Sequence, residues 1–286
     1  MPKDAFTNTA SRRAGRLLCL LPLFFLCMLQ LMTVPPAVAD DWGRWKMYRP
    51  SSIERIDHRE WQAFLDAYVR PVSDGINRVR YRSVSDADRN RLKEYVRMLA
   101  GVAVSDLARD EQLAYWVNLY NAVTVDVVLD HYPVDSIRQI GSGLFTRGPW
   151  TRKLVQVEGQ SLSLDDIEHR IVRPLWADPR LHYVFNCASL GCPNLPLRAL
   201  SGEGVAEALE QAAREFVNHP RGVSLTSGRL VVSSIYHWYE VDFGGSQRGV
   251  IEHLRRYAGP ELAPLLSKVE RVSNHQYDWA LNDFVE

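Results

Sequence analysis

The stretch Glu111-Gln-Leu-Ala-Tyr-Trp-Val-Asn-Leu-Tyr-Asn-Ala-Val-Thr-Val-Asp-Val-Val-Leu-Asp-His131 decides the fold of this chain. Its apolar side chains recur at helical spacing and cover more than one face, a pattern typical of a helix buried on all sides. Asp110 is expected to enter the helix, and Pro133 stops it. We therefore predict a long central helix at residues 111–131, with the rest of the chain packed around it.

Two side-chain amides interrupt this apolar helix. Asn118 and Asn121 are three residues apart and lie on the same side. An amide inside a buried helix costs free energy unless it is hydrogen-bonded. The pair either ties a neighbouring loop to the helix, which is the simpler interpretation, or lines the floor of a pocket.

The remaining patterns alternate between short helices and short strands. Helical periodicity is seen at residues 58–70, 85–100, 164–173, 204–218, 249–257 and 260–266, and strand or hairpin patterns at 77–81, 153–164 and 222–236. Ser163 is expected to cap helix 164–173 and Pro174 to end it. This mixture predicts an α+β fold, with helices around a small, mainly antiparallel sheet. Because no linker or repeat divides residues 40–286, we expect a single domain there.

The first 39 residues have the pattern of a secretory signal peptide. Arg12, Arg13 and Arg16 precede an apolar run, and Ala37-Val-Ala39 supplies small residues at the cleavage position. The apolar run is shorter than the ~20 residues that a membrane span needs. An uncleaved anchor is the alternative. We expect cleavage after residue 39, a periplasmic or secreted protein, and no membrane span thereafter.

Removal of this segment changes the cysteine count and slightly changes the charge. The whole chain has 34 basic and 34 acidic residues; residues 1–39 hold four basic and one acidic, which leaves 30 and 33. Such a balance does not indicate a nucleic-acid partner. Cys187 and Cys192 are the two cysteines that remain, and in an oxidising compartment we expect them to form a disulfide.

The candidate site follows the sequence His182-Tyr-Val-Phe185, which is rich in aromatic and β-branched residues and is predicted to be a buried strand. The small and reactive residues Asn186, Cys187, Ser189 and Cys192 come directly after it. A turn at the end of a buried strand is a common place for a site, because the strand fixes the position and the turn exposes the groups.

A thiol nucleophile needs a base within hydrogen-bond reach. His182 is five residues from Cys187, about 16 Å along a straight strand, so His169 is the better partner, with Glu168, Asn186 or Asp242 to orient it. Thiol–disulfide exchange is less favoured, since four residues separate the cysteines rather than two. Zinc binding by His169, His182 and the cysteines lacks the close pairs of structural zinc sites. We therefore expect no metal and no cofactor.

Five ordered motifs resemble one family, the domain of unknown function numbered 547, which occurs in many exported bacterial proteins and in plants. They are Ala114-Tyr-Trp-Val-Asn-Leu-Tyr-Asn-Ala122, Leu162-Ser-Leu-Asp-Asp-Ile-Glu-His-Arg170, His182-Tyr-Val-Phe-Asn-Cys-Ala-Ser-Leu-Gly-Cys-Pro193, Trp238-Tyr-Glu-Val-Asp-Phe243 and Tyr277-Asp-Trp-Ala-Leu-Asn282. The resemblance implies a domain boundary but no reaction. Its pattern includes Asn118, Asn121, Glu168, His169, His182, Cys187, Cys192 and Asp242.

Two hypotheses follow. In the first, the protein is an exported hydrolase or acyl-transferase with Cys187 as nucleophile and His169 as base, which Glu168 or one of the alternatives above orients. Asn118, Asn121 or Asn186 would supply oxyanion or orienting hydrogen bonds. In the second, it is a non-catalytic binding module in which a Cys187–Cys192 disulfide rigidifies a loop. The expected binding residues are His182, Asn186, Cys192, Asp242 and Trp116. The partner in either case is an unidentified small molecule or peptide.

Overall fold

The computed structural model describes residues 42–141 and 148–285, so the predicted signal peptide at residues 1–39 lies outside the described residues. Within these ranges, no helix is both long and apolar enough to cross a membrane.

The longest described helix is the one that the sequence predicts. It extends over Arg109–His131 and is numbered α3 below; nearly all its side chains are buried. Apolar residues on every side leave it no solvated face, so other elements pack around it. It ends at His131, where Tyr132 turns to an extended conformation before Pro133, as the restriction on residues preceding proline requires. The prediction of a central buried helix is confirmed.

Seven further α-helices occur in the described residues. Three precede or follow α3 as amphipathic elements that bury one stripe: α1 at Arg59–Tyr68, α2 at Asp86–Ala100 and α5 at Val205–Val217. The others are α4 at Arg173–Trp176, α6 at Ile235–Trp238, α7 at Gln247–Tyr257 and α8 at Ala263–Leu266. Helices α2 and α5 both pack against α3.

The described strands are short and divide among three small sheets. Strands β1 (Val69–Pro71) and β2 (Asn77–Val79) form one antiparallel pair, and β3 (Val155–Val157) and β4 (Gln160–Leu162) form another. Strands β5 (Val223–Thr226) and β6 (Arg229–Ser233) form a hairpin, and β7 (Asn274–Gln276) adds to β6 in parallel. The fold is therefore α+β, as predicted.

The segment before the candidate site differs from the prediction. Residues 182–185 are not a strand, because the chain forms a 3-10 helix at Pro179–Tyr183 and then an irregular segment. The Asp178 side chain accepts the Arg180 N–H at 2.9 Å and begins this helix. Beyond it, Asn121 of α3 accepts the Asn186 N–H and donates to the Val184 carbonyl, each at 2.9 Å. The backbone groups that a neighbouring strand would bind are thus bound by a helix side chain.

The prediction that Pro174 ends its helix is also wrong. The chain passes from a π-helical segment, Asp166–Val172, directly into α4, where proline is tolerated in the first turn. The helix ends at Trp176 and is capped by Ala177, whose φ of 48° is left-handed. At the other end, the predicted cap is present: Ser163 Oγ accepts the Asp166 N–H at 3.2 Å, and Asp166 Oδ2 accepts the Ser163 N–H at 2.8 Å.

Candidate functional site

The candidate functional site is a cavity of about 490 Å³ whose described lining includes Cys187 and Cys192. It is bounded by the π-helical segment, the irregular segment after Tyr183, helix α6 and the chain after β7. Seven of its seventeen described lining residues are aromatic: Tyr120, Trp150, Phe185, Trp238, Tyr239, Tyr277 and Trp279. The polar members are Thr151, Asp165, Glu168, His169 and His182, and both cysteines also line it. We call this the aromatic cavity.

Titratable groups meet at one side of the aromatic cavity. Glu168 Oε1 lies 3.7 Å from His182 Nδ1 and 3.8 Å from His169 Nδ1. The other ring nitrogen of His182, Nε2, donates to Asp242 Oδ2 at 2.6 Å. The structure therefore brings together Glu168 and His169 of one predicted helix, His182 of the predicted strand, and Asp242 of the Trp238–Phe243 motif.

Burial and neighbouring charges shift the pKa values of these groups in different directions. Burial raises the pKa of the Glu168 carboxyl, although the neighbouring His182 opposes this change. The hydrogen bond from His182, together with one from Arg173, holds the pKa of Asp242 well below its usual range. Burial, followed by the charge of Arg173, lowers the pKa of His169. A carboxyl with a raised pKa beside an imidazole with a lowered one is suited to proton transfer near neutrality.

The π-helical segment places Glu168 and His169 side by side at the cavity. Its turns are wider than those of an α-helix, and π-helical turns are frequent at functional sites. The capping interaction between Ser163 and Asp166 fixes its start, and Ile167 and Ile171 bury its other side. Arg173 anchors its end, where Nε donates to Asp242 Oδ2 at 2.7 Å.

The two cysteines form a disulfide, as predicted, with their Cα atoms 6.2 Å apart. The Cys187 N–H donates to Cys192 Sγ at 2.9 Å, and the Tyr277 hydroxyl lies 3.1 Å from each sulfur. Asn186 holds the loop between them, because its Oδ1 accepts the Ala188 N–H at 2.9 Å and its Nδ2 donates to the Pro193 carbonyl at 2.7 Å. In this state Cys187 carries no thiol, so it offers no thiolate nucleophile.

Five of the expected site residues are not in the described lining of the cavity: Trp116, Asn118, Asn121, Asn186 and Asp242. Asn118 exchanges two hydrogen bonds with the Leu200 backbone, at 2.8 and 3.0 Å, and Asn121 binds the segment 184–186. Both therefore tie loops to α3, the simpler of the two interpretations. Trp116 is fully buried and packs edge-on against Trp45, with ring centroids 5.2 Å apart.

The sequence reasoning missed most of the aromatic lining and two of the charged groups. Trp150, Trp238, Tyr277 and Trp279 are not among the predicted site residues, yet they line the cavity, and Trp238 is 45% exposed. The Tyr277-Asp-Trp279 alternation places two aromatic rings on one side of an extended segment, which is a usable signal. Asp165, in the first turn of the predicted helix 164–173, and Arg173, at its last position, are not among the predicted site residues. Across residues 42–141 and 148–285, no group of three or more His, Cys, Asp and Glu side chains is placed to hold a metal ion.

Comparison with known proteins assigns part of the chain to a family. Residues 104–217 match the family described as "Protein of unknown function, DUF547", and they carry a domain of that family. This range includes α3, the π-helical segment and the disulfide loop, so the resemblance is confirmed for the first three motifs. The Trp238–Phe243 and Tyr277–Asn282 motifs lie beyond it. The search of curated proteins found no match, and the search of solved structures found none.

Proposed function

We propose that the protein is a binding module whose aromatic cavity takes a small organic ligand. The observation that carries this proposal is an open cavity that is lined by seven aromatic side chains and by the buried carboxyl of Glu168. The two cysteines in its lining are joined in a disulfide. The volume falls in the range of small-molecule sites, which combine apolar walls with a few convergent polar groups. The disulfide then serves as a rigid part of the wall.

The aromatic side chains supply most of the expected affinity. Trp238, Tyr277 and Trp279 contact one another, with ring centroids 4.6 to 5.6 Å apart. Their mutual packing fixes the rings before a ligand arrives, so binding loses little side-chain entropy. Trp238 is the most exposed of the three and therefore has surface left for a ligand to cover.

The experiment is a fragment screen of the mature protein by ligand-observed NMR, with tryptophan fluorescence titrations of the hits. We expect Trp238→Ala to weaken binding of cavity ligands about tenfold or more, since a large aromatic contact is lost. Tyr48→Ala is the matched control, because Tyr48 has the same 45% exposure and lies outside the described cavity lining. Hits that bind equally to wild type and Trp238→Ala would contradict the proposal.

A second candidate, a cysteine-dependent hydrolase or acyl-transferase, is supported by one further observation. Cys187, His169 and Glu168 all line the aromatic cavity. This activity requires reduction of the disulfide, after which Cys187 would act as nucleophile and His169 as base. A thiol count distinguishes the two functions: native protein without reductant should show no reactive thiol under the binding hypothesis. A thiol that alkylates quickly below pH 7, and slowly after His169→Gln, would favour the enzyme.

We also propose that the protein works in the periplasm or outside the cell. The disulfide supports an oxidising compartment, and the predicted signal peptide at residues 1–39 supports export. N-terminal sequencing of the protein from fractionated cells tests both: an exported chain beginning at Asp40 is expected, and an intact chain in the cytoplasm would contradict the proposal.

A further inference from the structure

Among the described residues, the acidic and basic side chains that line the aromatic cavity are of one sign. Asp165 and Glu168 are in its described lining, and that lining includes no lysine or arginine. Glu168 is 8% exposed, and Asp165 is half-buried. Two carboxyls facing a shared cavity favour a ligand that brings positive charge, since removing a carboxylate from water is costly unless an opposite charge is placed near it.

The nearby cation is already engaged elsewhere. Arg173 Nε is 2.7 Å from Asp242 Oδ2, and its guanidinium lies over the Tyr239 ring at 4.6 Å. Arg173 therefore forms its direct ion pair with Asp242, and its charge acts on Glu168 without such a pair. In the described residues, the ion-pair contacts of Asp165 and Glu168 are with imidazoles, at 3.7 to 3.8 Å. Burial lowers the pKa of His169, so this imidazole adds no positive charge at neutral pH.

The walls of the cavity suit a cation as well. The face of an aromatic ring carries negative electrostatic potential and attracts ammonium and quaternary ammonium groups. Trp150 and Tyr277 each contact Trp279, with ring centroids 5.8 and 4.6 Å apart, and Tyr277 also contacts Trp238 at 4.9 Å. Several rings at angles to one another form the kind of cage that surrounds a compact cation.

We propose that the ligand of the aromatic cavity carries a compact organic cation, an ammonium or quaternary ammonium group. The cation lies against the rings of Trp238, Tyr277 and Trp279, and Glu168 and Asp165 provide the opposite charge. This inference rests on the proposed binding function and narrows it to one class of ligand.

The test compares two molecules of the same shape, choline and 3,3-dimethyl-1-butanol, which differ in the charge of one central atom. Binding to the mature, oxidised protein is measured by calorimetry and by tryptophan fluorescence at pH 7. We expect choline to bind about tenfold more tightly than the neutral compound, from cation–π attraction and the carboxylates together. Tetramethylammonium serves as a second cationic probe without the hydroxyl group.

Two variants test which side chains cause the preference for choline over the neutral compound. Glu168→Gln keeps the shape of the side chain and should reduce the preference for choline several-fold, and Trp238→Leu should reduce the affinity for choline. Glu94→Gln, on the exposed face of α2, is the matched control and should change neither. Near-UV circular dichroism confirms that each variant keeps its packed aromatic residues.

The outcomes separate this inference from the function on which it rests. Equal binding of choline and 3,3-dimethyl-1-butanol, or binding of neutral sugars or other neutral fragments while both cations fail, would overturn the cation inference and leave the binding function standing. If no probe and no fragment binds in a way that depends on Trp238, both fail together.

Discussion

At the scale of single residues, Glu168 is a buried carboxyl whose ionised form costs free energy in the candidate site. It is buried beside His182 and His169, and the Tyr120 hydroxyl hydrogen-bonds it. Burial raises the pKa of this carboxyl because the charged form loses its hydration. A group that costs stability and faces a cavity fits a functional role better than a structural one.

Replacement of Glu168 by Gln should therefore stabilise the free protein. Because the folded pKa is raised, the cost of the charge is present above that pKa and absent below the unfolded value of about 4.3. We expect the free energy of unfolding of Glu168→Gln to exceed that of wild type by about 1 kcal/mol or more at pH 7. At pH 4 the two should be nearly equal. Urea denaturation at both pH values measures this, and a variant less stable at pH 7 would contradict it.

The pKa of Asp242 is shifted in the opposite direction from that of Glu168. It accepts hydrogen bonds from His182 at 2.6 Å and from Arg173 at 2.7 Å, and these hold its pKa well below the usual range. A lowered pKa gives stability that is present above the unfolded value of about 3.9 and is lost as the pH falls towards the folded value.

The substitution Asp242→Asn should lower the free energy of unfolding by about 1–3 kcal/mol at pH 5, because both charge-assisted hydrogen bonds weaken. The difference from wild type should shrink at pH 3. Glu270→Gln, at an exposed position, is the control and should stay within about 0.5 kcal/mol of wild type. A loss that is the same at pH 5 and pH 3 would show that the Asp242 charge is not its source.

At the scale of elements, helix α3 lines the site with Tyr120 and positions the neighbouring loops through two amides. Asn118 binds the Leu200 backbone in both directions, and Asn121 holds the carbonyl of Val184 and the N–H of Asn186. Each amide satisfies backbone groups that have no strand partner. The loops that carry the disulfide and precede α5 are therefore fixed to the most buried helix of the described residues.

Removal of one such amide should be costly. Asn118→Ala leaves the Leu200 N–H and carbonyl buried without these partners, and we expect a loss of about 2–4 kcal/mol in the free energy of unfolding. Asn90→Ala in α2 is the matched control, since Asn90 is an exposed helical asparagine; it should be neutral or slightly stabilising. Thermal and urea unfolding measure both, and similar values for the two variants would contradict the role given to Asn118.

Among the elements, the helices were the most predictable. Strong periodicity set α1, α2, α3 and α5 to within a few residues, because one buried stripe repeats along each of them. The strand prediction for residues 182–185 was wrong because a short apolar run does not distinguish a strand from other buried conformations. Its local structure depends on Asp178 and Asn121, and the latter is more than sixty residues distant in sequence.

At the scale of the whole molecule, two clusters of buried apolar residues share helix α5. Val205 and Leu209 belong to the larger cluster around α3, whereas Ala213, Phe216 and Val217 belong to the cluster around α7 and β5–β6. Because α5 contributes side chains to both clusters, disruption of either cluster should destabilise the other. Unfolding is therefore expected to be cooperative.

The substitutions Phe216→Ala in the second cluster and Phe64→Ala in the first should each shift one common transition. A buried phenylalanine truncated to alanine costs about 3–5 kcal/mol. We expect far-UV and near-UV circular dichroism to give coincident urea midpoints for both variants. Two separated transitions in Phe216→Ala would show that the clusters unfold independently.

The sequence by itself determined the central helix, the amphipathic helices, the hairpins and the pairing of Cys187 with Cys192. Each of these depends on local periodicity, turn residues or the count of cysteines. It also singled out Glu168, His169, His182 and Asp242, but not their geometry. Only the tertiary structure decided that these groups meet beside a cavity, that Asn118 and Asn121 stand behind it, and that the rings of Trp238, Tyr277 and Trp279 form its wall. Those relations join residues up to about 160 positions apart, and no local pattern records which distant side chains will share one space.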